Sequence, residues 1–205
     1  MHAGETALES HWGGGAHPFG ASWQKTMMWI FIVTDALLFG GLLSGYAFLR
    51  HASAAPWPRQ SEVFSIPFIA LMTFILITSS MTMGTAVTAA RLGDRKKALT
   101  NVIFTIIGGM AFLGCQAYEW TELIHEGARL TSNPWGSPQF GQAFFILTGF
   151  HGSHVLSGLI ILIITAIRTS MNKTPAQGIE MAGLYWHFVD LVWVFIFTLF
   201  YLLPS

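Results

Sequence analysis

Long apolar stretches separated by short polar segments dominate the chain. A transmembrane helix needs about 20 mainly apolar residues to cross about 30 Å of hydrocarbon. Five stretches meet this requirement: residues 26–49, 66–90, 98–123, 142–167 and 181–203. The alternating segments of about ten residues that are typical of transmembrane β-strands do not occur. The pattern therefore predicts an all-α integral membrane protein, a bundle of five transmembrane helices.

The segment before the first span differs from a secretory signal peptide. Residues 1–25 are acidic rather than basic and contain His2, His11 and His17. The apolar run that follows is also longer than the 7–15 residues of a signal-peptide core. We interpret residues 1–25 as a tail and residues 26–205 as a single transmembrane domain, because the connecting segments are too short to fold alone.

Composition narrows the class of protein further. Hydrophobic residues make up 53% of the 205 residues and charged residues only 10%, whereas soluble domains carry about 25% charged residues. Ten basic and ten acidic residues give no net charge, so nucleic acid is an unlikely partner. The single cysteine, Cys115, excludes an internal disulfide framework, a cysteine-based zinc site and a cysteine-ligated iron–sulfur cluster.

Basic residues in the loops predict the orientation, because Lys and Arg are enriched on the cytoplasmic side. One side would carry Lys25, Arg91, Arg95, Lys96, Lys97, Arg168 and Lys173. The other side would carry Arg50, Arg59 and Arg129. Seven basic residues against three predict a cytoplasmic N-terminus and a C-terminus outside.

Small residues spaced four apart mark places where helices can approach closely. Gly41 and Gly45 form such a row in the first span, and Gly149, Ser153 and Ser157 form another in the fourth. We predict that both rows are helix-packing seams rather than binding sites.

Ionisable side chains inside the spans are unusual, since each is costly in the bilayer core. Seven occur: Asp35, Glu119, Glu122, His151, His154, His187 and Asp190. All except Asp35 form pairs spaced three residues apart, so each pair shares a helix face. We predict one inward-facing polar stripe per helix, with these groups in the interior of the bundle.

Three interpretations of these polar groups are open. Glu122 and His125 have the spacing of a di-iron ligand pair, but such a site needs this motif twice and it occurs once. A proton pathway through Asp35 or Asp190 would suit a transporter, yet five unbroken helices are few for one. The third interpretation is that these groups pair with each other, with backbone carbonyls or with lipid headgroups, and so fix how the helices pack. Composition favours the third, and we predict no metal site in this chain.

Two tryptophans flank one of the polar pairs. Trp186 and Trp193 are about two turns apart, so these two side chains share a helix face. His187 and Asp190 lie between them in the sequence. Buried indole N–H groups need hydrogen-bond partners, which suits a subunit interface or lipid headgroups. No haem is predicted here, because two histidines three apart on one helix cannot be opposite axial ligands and no c-type attachment motif occurs.

Three motifs in order resemble the haem-copper oxidase subunit III family, in its five-helix bacterial form. They are QAYEWTE at Gln116–Glu122, FFILTGFHGSHVLSG at Phe144–Gly158 and YWHFVDLVWVF at Tyr185–Phe195. The resemblance is close from about Phe112 onward and looser over the first two helices. The predicted orientation is also the one that the family has.

The resemblance implies a subunit of a proton-pumping terminal oxidase in the bacterial cytoplasmic membrane, with no redox centre of its own. Haem and copper would be held by subunits I and II. Subunit III would pack on subunit I, contact subunit II and a possible subunit IV, bind structural phospholipids, and support proton uptake and stability. Cytochrome c is the expected electron donor. Quinol is the alternative electron donor. A role as an accessory protein of a nitric oxide reductase is the alternative function.

The resemblance also suggests roles for single residues. Many family members carry Glu where this chain has Asp35, in VTDALLF, so Asp35 is the candidate for contact with lipid or with a proton-uptake route. The polar pairs Glu119/Glu122, His151/His154 and His187/Asp190 are expected to pair structurally within the bundle.

Overall fold

The computed structural model describes residues 22–54 and 57–202, and the histidines of the N-terminal tail lie outside them. Within these residues, six α-helices follow one another. They are α1 (Trp23–Ala52), α2 (Gln60–Val63), α3 (Ile66–Arg91), α4 (Arg95–His125), α5 (Pro138–Ser170) and α6 (Ala176–Ile196). The last helix continues without a break into a π-helix, Phe197–Leu202.

The predicted spans are confirmed as helices. Within the described residues, five helices are long and apolar enough to cross a membrane: α1, α3, α4, α5 and α6 with its π-helical end. Four of them begin three to five residues before the apolar stretch that predicted them, whereas α3 begins at the same residue as its stretch and is one residue longer. The single turn of α2 was not predicted. The orientation of the bundle stays a prediction.

Helix α6 lies at the centre of the bundle. It contacts α1, α3 and α5, while α3 packs most extensively on α4 and α4 in turn on α5. In the most apolar stretch of the α6 span 50% of the residues are buried, whereas in that of α1 only 11% are buried. Helix α1 is therefore a peripheral helix that leans on α5 and α6.

A tight turn joins α3 to α4. Gly93 has a φ of 79°, a left-handed conformation that glycine adopts without a steric penalty. Asp94 then caps α4, since its side chain accepts a hydrogen bond from the backbone N–H of Lys97 at 3.0 Å. The Arg95 guanidinium donates to the carbonyl of Thr169 near the end of α5, so the same turn also satisfies an otherwise unpaired helix terminus.

One of the two predicted small-residue seams is not used within this chain. A Cβ built on Gly41 or Gly45 would meet no described atom within 4 Å, so no helix of the bundle packs there. The row on α5 is used in part. Gly149 lies against the Trp120 ring, which a Cβ would meet at 3.0 Å, and Ser157 hydrogen bonds to Tyr185 across to α6 at 2.7 Å.

An ion-pair cluster joins three helices at the α3–α4 end of the bundle. Glu180 of α6 accepts from Lys25 of α1 at 2.7 Å and from Arg91 of α3 at 2.9 Å. All three side chains retain some exposure, so each pair is worth at most about 1 kcal/mol. The cluster attaches the first turn of α1 to α3 and α6, and the Gln177 amide of α6 donates to Gln24 in the same turn at 3.3 Å.

Candidate functional site

Asp35 and His154 form a buried pair between α1 and α5. Asp35 is 8% exposed, and its Oδ2 lies 3.3 Å from Nε2 of His154. Phe39 and Phe150 pack against the imidazole, with ring centroids 5.2 and 4.6 Å away. The pair is therefore held in an apolar, aromatic environment in which charges are costly unless they are matched.

Hydrogen bonding fixes the position of one imidazole hydrogen. Nδ1 of His154 lies 2.9 Å from the carbonyl oxygen of Phe150, and a carbonyl only accepts, so Nδ1 carries a hydrogen. Nε2 then faces the Asp35 carboxyl group. The 3.3 Å between Nε2 and Asp35 Oδ2 is an ion-pair distance, although Oδ2 has no hydrogen-bond partner among the described residues.

A second polar pair lies beside the first. The hydroxyl groups of Ser157 and Tyr185 are 2.7 Å apart, and Tyr185 also reaches the carbonyl of His154 at 3.2 Å. Tyr185 thus connects α6 to the turn of α5 that carries His154. The first span, the fourth and the fifth meet at these residues.

His187 belongs to a separate cluster on the other side of α6. Its Nδ1 lies 2.6 Å from the hydroxyl of Ser80 on α3, and its ring approaches Gly84, where a Cβ would lie 4.0 Å away. Asp190, one turn further along α6, is half-buried. These residues join α3 to α6 rather than to the Asp35–His154 pair.

The two tryptophans of α6 were expected at an interface or at lipid headgroups, and that prediction was wrong. Trp186 and Trp193 are 1% and 0% exposed. Their indole N–H groups donate to Ser79 at 3.1 Å and to Thr73 at 3.0 Å, both on α3. The α6 face that carries them points into the bundle, so hydroxyl groups of a neighbouring helix supply the partners that lipid was expected to supply.

His151 is enclosed by aromatic rings. It is 0% exposed, and the ring centroids of Trp193 and Phe112 lie 5.2 and 5.9 Å away. One turn separates it from His154 on α5, yet only His154 reaches a carboxylate. The two histidines were predicted to share one polar face, but they lie in two different environments.

Glu119 is the centre of a third buried cluster. Its Oε2 accepts from the Gln116 amide at 2.8 Å and from the Tyr201 hydroxyl at 3.3 Å. Tyr201 belongs to the π-helix, and π-helical turns occur often at functional sites. The π-helical turn carries the tyrosine that connects this end of the α6 span to α4.

Glu122 does not share the buried environment predicted for it. The residue is exposed and accepts a hydrogen bond from Tyr118 on its own helix at 2.9 Å. His125 is exposed as well. Each step of three residues falls 60° short of a full turn, so Glu122 points 120° away from Gln116 and lies outside the face of α4 that buries Gln116 and Glu119. Among the residues that the structure describes, no three His, Cys, Asp or Glu side chains are grouped so that they could hold a metal ion.

The polar groups thus form three separate clusters, not one stripe per helix. The sequence did not single out the hydroxyl groups that bond to the tryptophans of α6 or to these clusters: Thr73, Ser79, Ser80 and Tyr201. Each is an ordinary residue in a membrane helix, and only the contact across the helices gives it a role. A signal existed for Gln116, which lies one turn before Glu119 and shares its face.

Fold and clusters together define a multi-pass membrane protein whose helices are joined by interior hydrogen bonds. The family model for cytochrome c oxidase subunit III matches residues 6–205. The chain therefore belongs to the cytochrome c oxidase subunit III family, of the haem-copper oxidases. The resemblance found in the three motifs is confirmed.

Curated bacterial relatives cover most of the chain. It is 37% identical over 183 residues to a "Probable quinol oxidase subunit 3" of Staphylococcus saprophyticus, which covers 88% of this chain and 89% of that protein. It is 36% identical over 178 residues to "Cytochrome c oxidase subunit 3" of Bacillus sp. (strain PS3), at 85% and 83% coverage. These relatives and the five apolar helices identify a multi-pass protein of a bacterial membrane.

Proposed function

We propose that this chain is the non-redox subunit III of a proton-pumping terminal oxidase, and that haem and copper are held by subunits I and II. The interior of the bundle supports this role. Its buried polar side chains join one helix to another: Trp186 to Ser79, Trp193 to Thr73 and Tyr201 to Glu119. Groups engaged in this way fix the arrangement of the helices.

The electron donor in this proposal is cytochrome c, and quinol is the alternative because relatives of both names match at 36–37% identity. Oxygen uptake by the purified complex distinguishes the two donors. We expect turnover with reduced cytochrome c and much slower turnover with a soluble quinol. The reverse result would assign the complex to the quinol oxidases without changing the role of this chain.

The exposed face of α1 is the surface that we assign to subunit I. Helix α1 is the least buried span, and Leu37 and Phe48 on it are 72% and 71% exposed. Gly41 and Gly45 lie between them and contact no other described helix. Small residues at such spacing let a second helix approach closely, which is how membrane helices gain packing energy.

Gly41→Leu is expected to weaken the attachment of this chain to the oxidase. A leucine on a glycine seam forces the partner helix away, and overpacking of this kind costs about 1–3 kcal/mol. Co-purification with a tagged subunit I, over a detergent series, measures the loss. Gly114→Leu on α4 is the matched control, because Gly114 also faces open space. Equal retention of both variants would contradict the assignment.

The Asp35–His154 pair is the proton-holding group in this proposal. The pair lies between α1 and α5, and α1 is the helix that we assign to the contact with subunit I. An imidazole and a carboxylate can each bind one proton, so the pair can accept a proton from a donor of the neighbouring subunit or return one to an acceptor there. We propose that it supports proton uptake by the neighbouring subunit and prolongs the catalytic lifetime of the complex.

Asp35→Asn is expected to lower the number of turnovers that the oxidase completes before it inactivates. The amide keeps the shape of the carboxyl group but cannot exchange a proton with His154. We expect a fall of roughly five-fold, which corresponds to about 1 kcal/mol, an ordinary interaction energy for contacting residues. His154→Gln should act equally, and the double variant no more strongly. Glu122→Gln, which changes an exposed carboxylate, serves as control; an unchanged lifetime in Asp35→Asn would eliminate the role.

A further inference from the structure

A small cavity lies at the end of the bundle where α3 turns into α4. Four helices line it: the end of α3, the first turn of α4, the end of α5 and the beginning of α6. Its volume is about 140 Å³, whereas pockets for drug-sized ligands measure about 300–1,000 Å³. One water takes up about 30 Å³ of liquid, so the cavity suits a small ion rather than a nucleotide or a cofactor.

The guanidinium group of Arg95 is fixed at the wall of this cavity. Arg95 and Thr169 both line it, and Nε and Nη2 of Arg95 donate to the Thr169 carbonyl. Two of the five guanidinium N–H donors are used in this way, so the others are available to a ligand. The two acidic residues of this end, Asp94 and Glu180, are engaged by the cap of α4 and by the ion-pair cluster. Within the described residues, Arg95 thus forms no ion pair.

Two threonine hydroxyl groups at the cavity have no partner. Thr169 is 1% exposed and Thr174 is half-buried, both line the cavity, and each Oγ1 is buried without a hydrogen-bond partner among the described residues. By contrast, the buried hydroxyls of Thr73 and Thr148 donate to the carbonyl four residues earlier in their helices. Because a buried hydroxyl without a partner is costly, the two free hydroxyls indicate a ligand that accepts hydrogen bonds.

The electrostatic surroundings favour a negative charge. Helix α6 begins at Ala176, which lines the cavity, and no side chain caps this helix end. A helix N-terminus presents unpaired N–H groups and the positive end of the helix dipole, and the first turn of α6 contains no acidic residue that could neutralise it. The same end of the bundle carries the seven basic residues that predict the cytoplasmic side, so its potential is positive.

We propose that this cavity binds one small oxyanion of the phosphate class. Arg95 would supply the opposite charge, the hydroxyls of Thr169 and Thr174 would donate hydrogen bonds, and the N-terminus of α6 would be a further contact. A guanidinium group presents parallel donors that match the oxygens of a phosphate, and helix N-termini bind such anions. The bound anion would connect α4, α5 and α6 at one point, and this role does not depend on the oxidase to which the chain belongs.

Inorganic phosphate is the probe in the first test. The intact purified complex is titrated at constant pH with sodium phosphate, or with sodium chloride at equal ionic strength, and the temperature at which this chain dissociates is recorded. A ligand that binds only the folded state raises this temperature as its concentration increases. We expect such a rise with phosphate and none with chloride. An equal rise with both salts would show an effect of ionic strength alone and would overturn the proposal.

Thr169→Val separates anion binding from folding, because valine has nearly the shape of threonine and lacks only the hydroxyl. We expect the affinity for phosphate to fall roughly ten-fold, the effect of one hydrogen bond to a charged group. Arg95→Gln should abolish the response to phosphate. Lys96→Gln is the control, since Lys96 is exposed and outside the cavity, and it should change the affinity less than about two-fold. Equal affinity in Thr169→Val and wild type would refute the site.

Native mass spectrometry distinguishes a free anion from a lipid headgroup. One phosphate should bind to the wild-type complex, and its occupancy should fall in Thr169→Val. A phospholipid that is retained by the wild type and lost in Thr169→Val would assign the cavity to a lipid headgroup and overturn the proposal. Oxygen uptake by the same samples shows whether the complex is an active oxidase, so a failure of the proposed function is distinguishable from a failure of the anion site.

Discussion

Gly109→Leu is expected to disrupt the junction of three transmembrane helices. A Cβ on Gly109 of α4 would lie 2.5 Å from the Trp186 ring of α6 and 2.9 Å from a methyl group of Leu159 on α5. Trp186 cannot give way easily, because it is 1% exposed and its indole donates to Ser79. Overpacking ordinarily costs 1–3 kcal/mol, and we expect about 3 kcal/mol or more here because the larger side chain opposes two helices at once.

The readout is the temperature at which half of this chain dissociates from the purified complex or aggregates. Gly114→Leu, five residues further along the same helix, is the matched control, since no described atom lies within 4 Å of its Cβ. That variant should lose little stability within the chain, because leucine is the better helix former by several tenths of a kcal/mol. Equal losses for the two variants would show that α4, α5 and α6 do not meet at Gly109.

The helices of this fold were predictable because the signal is local. A span is specified by the hydropathy of about 20 consecutive residues, so the five helices emerge from the sequence with only their ends misjudged. The π-helical end of α6 did not emerge, because nothing in Phe197–Leu202 distinguishes it from the apolar helix before it. Its packing depends on the partner of Tyr201, and that partner, Glu119, lies 82 positions away in the chain.

The site was predictable only as a set of residues. Helical spacing correctly groups side chains by face, but it cannot say which face points inward. Trp186 and Trp193 were expected at the surface and lie in the interior, whereas Glu122 was expected inside and lies outside. In a soluble protein, the contrast between an apolar and a polar face shows which side of a helix is buried. This contrast is weak here, because most spans are apolar all round.

Pairing between helices was equally invisible. Asp35 and His154 come from spans 119 positions apart, and the sequence associates His154 with His151 instead because they are neighbours on α5. The structure separates the two histidines by environment: His154 faces a carboxylate and His151 faces aromatic rings. The arrangement of α1 against α5 decides this difference.

Trp193→Ala is expected to destabilise the middle of the bundle. The indole is 0% exposed, packs edge-on against Phe112 at 4.7 Å and lies 5.2 Å from His151. Removal of a buried Trp costs about 3–5 kcal/mol in water-soluble cores. We expect about 3 kcal/mol here, because lipid solvates apolar side chains as well as a protein interior does. The cost is then mainly lost contact with the surrounding atoms.

A series at the same site separates packing from hydrogen bonding. Thr73→Val leaves the Trp193 N–H without its acceptor, which should cost about 1–3 kcal/mol. Trp193→Phe combined with Thr73→Val removes both partners and retains a ring beside Phe112, so it should be more stable than Trp193→Ala. The same dissociation temperature measures all three. If the double variant were as unstable as Trp193→Ala, the ring contacts would not be the source of the stability. If Thr73→Val were neutral, the indole would have another partner.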